Sequence, residues 1–435
     1  MLSVFIFKSN ARGMQYGMGT YIRELTEALL VHTDFKIYIV TYHCGECKEF
    51  TIETISPRYF KINIPSPRQP SSQNNLYDKR YASTVVNLLY DVIPKNEEVV
   101  FQINYIDGLP IIKKLKEEYT HPVISVVHFA QWQELFNGNK QKLQGLNIDT
   151  PSNNIEYTLS IEKEMYQLSD QIISVTHYMK DFLVNEYGID SHKIIIVPNG
   201  INYSKYKAIF HEEKLKIRRD FGFMPDEKII LFSGRVDPPK GIFFLIDAFM
   251  ETCNHADNLR LVIAGQGHFQ ECMQKYQSFY GKITYTGFLH QDKLQQLMQI
   301  ADIGIAPSLY DHCPYAILEM MANKIPLILS EINGLNEILN EEQCVFIKPI
   351  IEPDGEICFD KIELANKILS LIKDENAQAQ IAEQAFFRLI SKFNSGSMGK
   401  KLLKIYTKCS KNNSGNNYGH IIAAEAETRK FKAII

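Results

Sequence analysis

Two carboxylates and a helix start stand together in the stretch APSLYDHCPYAILEMMAN, residues 306–323. An apolar strand, ADIGIAPS, stops at Pro307 and Ser308, and a helix follows in which Ile317, Leu318 and Met321 share one face. Pro314 suits the first turn of that helix, where an N–H would have no intrahelical partner. Glu319 falls off the apolar face. Helical side chains lean toward the N-terminus and five residues rise roughly 7.5 Å, so the Glu319 carboxylate can share a cleft with Asp311. The free N–H groups and dipole of a helix N-terminus favour phosphate, whereas flanking carboxylates repel it and suit hydroxyl groups. A ligand with phosphate in the middle and hydroxyls at both ends meets both demands, and nucleoside-diphosphate sugars have that layout. Alone, the acid pair also fits an ordinary strand–helix turn at the surface.

A second constellation lies upstream, in KIILFSGRVDPPKGIFFLIDAF. A strand runs into a turn and a helix starts near Lys240 and Gly241, so Arg235 and Lys240 meet at a strand's C-terminal edge, the crevice where α/β folds bind ligands. Spacing alone also allows surface salt-bridge partners. Further turns follow strands at Gly265 and Gly267, at Gly287, Phe288 and Leu289, and at Gly334 in NGLNE, where Glu337 reads as a cap of its own helix. In the first half, LSVFIF is a central strand, and a loop with Gly13, Gly17 and Gly19 precedes the helix TYIRELTEALL. The next strand, FKIYIVTY, ends without the acid that grips ribose in a dinucleotide fold, so the G-x-G is a weak nicotinamide fingerprint. His128 closes the strand HPVISVVHF, and Asn199 follows the strand KIIIVP.

Taken together these motifs resemble the retaining glycosyltransferases of family 4, which have the GT-B fold. Asp311 and Glu319 match the acid-x7-acid signature, and Gly234 to Gly241 match GR-x4-KG. The resemblance implies that Arg235, Lys240 and N–H groups near Cys313 and Tyr315 hold the donor diphosphate, that Glu319 takes the nucleotide ribose, and that Asp311 takes donor-sugar hydroxyls. It puts His128 beside the donor sugar and Gly17 and Gly19 opposite the phosphates. Asn199, Gly234, Gly265, Gly267, Gly287, Phe288, Leu289, His312, Cys313, Pro314, Tyr315 and Gly334 complete the implied donor site. Two departures stand out: family members usually have Glu where Asp311 stands, one methylene longer, and often Gly at the Pro314 position. The resemblance also implies retention at the anomeric carbon, a front-face mechanism with phosphate as base, and neither metal nor cofactor. The partners it implies are a nucleotide sugar and a saccharide or lipid-linked acceptor, by analogy in surface polysaccharide or glycoconjugate assembly. Three rivals compete: a nucleotide-sugar 2-epimerase of the same fold, a nicotinamide-dependent oxidoreductase, and a binding subunit without activity.

The elements that must position these residues alternate strand and helix throughout, the pattern of parallel, doubly wound sheets. With 435 residues, two domains or three small ones are expected; with the family resemblance the fold class is α/β, two Rossmann-like domains facing across a cleft. The boundaries read as 1–205 on the acceptor side, 206–385 on the donor side, a helix over 386–408 crossing back, and a polar tail over 409–435. Residues 65–80, with Arg68, Lys79 and Arg80, read as a loop, as do 137–154 at the cleft mouth. A net charge of -3 gives no global attraction to nucleic acid. No run of 18 apolar residues occurs, and MLSVFIFKSN reads as a strand rather than a signal peptide, so a cytoplasmic protein is expected. Lys400, Lys401 and Lys404 read as a solvated helix face, with weak membrane-surface contact as the alternative. Eight cysteines are too few for a disulfide framework, and Cys44 and Cys47, a lone CxxC, read as part of a polar loop.

Overall fold

Strand β1 (Leu2–Ser9) turns Leu2, Val4 and Ile6 to one buried face and Phe5 and Phe7 to the other, as a central parallel strand does. Around it the computed structural model, which describes residues 1–9, 17–66, 75–104 and 106–413, builds an eight-stranded sheet. Its strands are β2 (Lys36–Cys44), β3 (Thr51–Ser56), β4 (Tyr59–Pro65), β5 (Glu98–Ile103), β6 (Val123–Val127), β7 (Gln171–Ser174) and β8 (Ile194–Ile196). Their order is β3-β4-β2-β1-β5-β6-β7-β8, parallel except where β3 pairs antiparallel with β4. A second sheet comprises β9 (Lys228–Ser233), β10 (Leu259–Ala264), β11 (Ile283–Gly287), β12 (Ile303–Ala306), β13 (Leu327–Ser330) and β14 (Val345–Ile347). It is wholly parallel in the order β11-β10-β9-β12-β13-β14. In both sheets the connection reverses beside the strand that comes first in the sequence, β1 or β9, and such switch points open a crevice at the strands' C-terminal ends.

The chain crosses between the halves twice. Ile201 N–H donates to Phe393 O at 2.9 Å and Ser395 N–H to Ile201 O at 3.1 Å, which ties the two crossings together. The helix Ser395–Asn413 then lies on the first domain, where the Ser410 hydroxyl donates to Glu98 at 2.6 Å and the Tyr406 hydroxyl donates to Gln102. Leu402 and Ile405 bury inward, which leaves Lys400, Lys401 and Lys404 exposed to solvent. Among the described residues no helix is long and apolar enough to cross a membrane.

Several local expectations are corrected. The polar stretch 65–80 becomes helical from Asn75, so Lys79 and Arg80 ride on the helix Asn75–Leu88, while Arg68 lies outside the described residues. Gly17 and Gly19 belong to the first turn of the helix Gly17–His32 rather than to the loop before it, and Gly13 lies outside the described residues. Segment 137–154 is tied down: Lys140 pairs with Glu186 at 2.7 Å, Lys163 with Asp149 at 2.6 Å, and Asn139 donates to the Gly355 carbonyl across the cleft. The tail expected from 409 is still helical to Asn413, with Cys409 buried, and 414–435 lie outside the described residues. Cys44 and Cys47 are joined as a disulfide. Pro314 stands at the N-cap of the helix Tyr315–Ala322, one residue before its first turn.

Glu337 stands at the C-cap position of the helix Asn333–Asn336, but its side chain does not cap that helix. Its carboxylate reaches the first domain and accepts the N–H groups of His177 and Tyr178, both at 2.7 Å, at the start of the helix His177–Tyr187. An anion on two free N–H groups at a helix N-terminus is favoured by charge and dipole together. Glu337→Ala is therefore expected to cost about 1–2 kcal/mol in urea unfolding, with Glu337→Gln keeping part of it; a loss indistinguishable from zero would remove this contact from the account.

Candidate active site

The two motifs issue from adjacent strands. Arg235 follows β9, the acid turn follows β12, and β9 and β12 pair at the switch point of the second sheet. The turn Pro238–Lys240 ends at Gly241, whose φ of +72° is the left-handed region. A Cβ there would stand 1.9 Å from the Pro307 carbonyl oxygen, so only glycine allows this approach. Leu309 N–H also donates to Pro239 O at 2.8 Å. The packed turns bring Lys240 Nζ to 2.6 Å from Asp311 Oδ2. Asp311 further accepts from His312 N–H at 3.1 Å and the Ser308 hydroxyl at 3.4 Å. Arg235 is held by Asp237 at 3.0 Å with its side chain 41% exposed, which leaves donors free for a ligand.

Opposing elements fix the acid turn. Cys313 adopts φ +49°, a conformation unfavourable for any residue with a Cβ, and its carbonyl accepts the Asn199 amide at 2.7 Å. The Tyr315 hydroxyl donates to Gly200 O at 3.4 Å. His312 is buried, with Nε2 at 2.8 Å from Gln133 Oε1 and Nδ1 at 3.4 Å from the Thr176 hydroxyl, and burial lowers its pKa to about 4. Its neutral ring is thus an interdomain strut. Gly334 backs the turn: a Cβ there would meet Asp311 O at 1.9 Å and His312 Nδ1 at 2.7 Å.

Two connected chambers fill the cleft between the domains. The smaller, about 460 Å³, is lined by His128, Asn199, Arg235, Lys240, Asp311 and Pro314, among others. The larger, about 830 Å³, is lined by Gly19, Gly265, Phe288, Leu289, Gln291 and Glu319, among others. Lys8, Gly17, Ser233, Gly234, Tyr315 and Ala316 border both. His128 is half-buried, its buried Nε2 has no hydrogen-bond partner among the described residues, and desolvation pushes its pKa down to about 3. Glu319 is buried. Desolvation raises its carboxyl to about 7, against the Gln291 amide (3.3 Å), Arg23 and Tyr206, which favour the ionised form; Glu24 adds to the rise. His312 and Cys313 also border the cleft, although their side chains are engaged by the first domain.

Three expected donor residues, Gly267, Gly287 and Gly334, do not line either chamber. Gly267 bridges Val236, Gly287 O accepts from Gly265 N–H at 3.0 Å, and Gly334 supports the acid turn, so each shapes a wall from behind. Sequence reading missed Gln133, Thr176, Arg23 and Gln291. Gln133 meets His312 across 179 residues of chain, and no local pattern signals such a partner. Among the described residues no group of three or more His, Cys, Asp or Glu side chains is arranged to hold a metal ion.

Two facing doubly wound domains, with cations and acids at the switch point of the second, define a GT-B-type fold. Residues 16–205 match the family model described as Glycosyltransferase Family 4, and residues 213–387 that described as Glycosyl transferases group 1. The chain belongs to this glycosyltransferase family. It is 34% identical over 178 residues to an uncharacterized glycosyltransferase of Methanocaldococcus jannaschii, covering 40% of this chain and 45% of that one. The chain spans about half the length of the curated relatives it matches. Its fold is similar to that of sucrose-phosphate synthase from Thermosynechococcus elongatus, with TM-score 0.74 and 16% identity over 94% of this chain and 99% of that one. It is also similar to the Anabaena protein HepE in complex with UDP and glucose, with TM-score 0.70 and 15% identity over 93% and 99%.

The raised Glu319 sets a pH window. An acid that holds its proton up to about pH 7 when folded, against an ordinary 4.5, stabilises the fold below the lower value and loses that contribution as pH rises through the higher. Unligated Glu319→Gln is accordingly expected to match wild type near pH 5 and to exceed it at pH 8, by at most about 3 kcal/mol in urea unfolding. Equal stability of the two proteins at both pH values would contradict the burial argument.

Proposed function

We propose that this protein transfers a glycosyl group from a nucleoside-diphosphate sugar to a hydroxyl acceptor, with retention of anomeric configuration. The observation that carries the reading is the convergence of Arg235, Lys240 and Asp311 in one chamber with His128 opposite, continuous with the chamber that holds Glu319. The base lies against Phe288 and Leu289, the ribose hydroxyls on Glu319, and the sugar hydroxyls on Asp311. The fold likeness to a protein solved with UDP and glucose is in keeping with this donor class. The acceptor oxygen bonds to the anomeric carbon as the bond from that carbon to the β-phosphate oxygen breaks. The electron pair goes to the phosphate, which takes up the acceptor's proton on the same face. Arg235, Lys240 and the first N–H groups of the helix Tyr315–Ala322 stabilise the developing charge, a role that needs no metal. Lys240 reaches the phosphate from its position on Asp311, so the two residues act as a unit. Assembly of a polysaccharide or other glycoconjugate inside the cell is the setting this reaction suits.

A thermal-shift panel of UDP, GDP, ADP and TDP, with and without EDTA, tests the reading. One nucleotide at a hundred times its Kd is expected to add about 2.7 kcal/mol, chelator or not. Arg235→Ala is expected to lose most of that shift and about a hundredfold in rate. With donor alone, slow hydrolysis followed by proton NMR is expected to release first the anomer present in the donor. Release of the inverted anomer would overturn retention, and formation of an epimer of the donor, or a shift with NADH and none of the four nucleotides, would overturn the whole assignment.

A further inference from the structure

The wall facing the donor half of the cleft carries charge that neither the fold nor the proposed reaction uses. Lys8, Thr41 and Asn63 stand level in register across β1, β2 and β4, on the face that carries Leu2, Val4 and Ile6 further back along β1. Lys61 lies on the same face, opposite Ile39, one pleat repeat from Asn63. Neighbouring strands are about 4.8 Å apart, so the row presents a cation, a hydroxyl and an amide within roughly 10 Å, with a second cation beside it. All four line the larger chamber, and Lys8 borders both chambers.

Neither lysine has an ion-pair partner among the described residues. Glu53 is paired with Lys61 in the β3–β4 register, yet the two form no salt bridge. Of the other charges lining this chamber, Glu27 holds Lys205 at 2.5 Å and Arg23 reaches the neutral Gln291 amide at 3.5 Å across the cleft, while Glu53 forms no salt bridge among the described residues. Burial and the Lys61 charge together lower the Lys8 pKa, so the two ammonium groups repel at close quarters. Lys8 is half-buried, unpaired and beside the like charge of exposed Lys61, an arrangement that is costly unless a ligand supplies the counter-charge. The donor diphosphate already has Arg235 and Lys240 on the opposite wall. Together the chambers exceed the roughly 300–1,000 Å³ typical of one small ligand, which leaves room for a second.

We propose that Lys8 and Lys61, with Thr41 and Asn63 between them, form an anion subsite that binds a phosphate monoester on the acceptor. The substrate class is then a phosphorylated saccharide, with its phosphate on the first-domain wall and its attacking hydroxyl at the junction beside Lys8, next to the chamber of Asp311 and His128. A phosphate monoester carries nearly two negative charges near neutral pH, which matches two lysines better than a carboxylate does. This inference rests on the glycosyltransferase reading and extends it to the second substrate.

The test uses the full chain saturated with whichever nucleoside diphosphate binds, titrated calorimetrically with glucose 6-phosphate, fructose 6-phosphate, mannose 6-phosphate, the same sugars without phosphate, glucuronate and inorganic phosphate. At least one sugar phosphate is expected to bind about tenfold or more tightly than its free sugar, and Lys61→Gln to abolish that preference while nucleotide affinity stays unchanged. Lys61 is exposed, so the variant is expected to keep the wild-type melting temperature. Three results would each overturn the proposal: no phosphate-bearing probe binding better than free sugar up to millimolar concentration, glucuronate binding as tightly as the phosphates, or Lys61→Gln weakening the nucleotide instead. Failure of wild type to bind any nucleoside diphosphate would instead sink the donor reading on which the proposal rests.

Discussion

The ion pair between Lys240 and Asp311 is the contact around which the cleft is organised. At 2.6 Å, with both side chains mostly shielded, it joins the turn after β9 to the turn after β12. Its members come from two strands that lie side by side at the sheet's reversal, the one place where neighbouring strand ends diverge and leave a crevice. A part-buried pair of this kind contributes modest net stability, because desolvation offsets attraction. Its value lies in geometry. It fixes a cation and an acceptor of hydroxyl hydrogen bonds at a set separation, ready for phosphate and sugar.

That geometry is maintained from both domains. Cys313 holds a left-handed conformation that the local sequence does not favour, and Asn199, Gln133, Thr176 and the Gly200 carbonyl supply the contacts that keep the turn in place. Glu337 adds a further link from the second domain to the first. The acid turn is therefore a composite structure. Its strain is supported by the interface rather than by the helix it precedes, which starts from an N-cap proline with no side-chain cap. Relative movement of the domains would alter the turn, so access to the cleft and the shape of the site are coupled.

Much of this was legible in the sequence because the essential signals are local. Arg235, Lys240, Asp311 and Glu319 are each set by a strand, a turn and a helix start within about twenty residues, and apolar periodicity marks those elements well. Contacts made at a distance in the chain were not legible. Glu337 has the spacing of a helix cap and does cap a helix, but one that starts 160 residues upstream. The β3–β4 hairpin went unread because β3 is an exposed edge strand and lacks a clean alternation of buried side chains. Gly17 and Gly19 looked like loop residues by type, yet the helix beginning at Gly17 tolerates both in its first turn. Gly267, Gly287 and Gly334 have the motif's residue type, but the backbone there braces the walls instead of lining them.

The most direct test is a crystal structure with a nucleoside diphosphate bound. The account predicts the base against Phe288 and Leu289, the ribose on Glu319, and the β-phosphate within hydrogen-bond reach of both Arg235 and Lys240, with Lys240 still beside Asp311. Density for the diphosphate on the first-domain wall at Lys8 and Lys61, with Arg235 and Lys240 unoccupied, would contradict it.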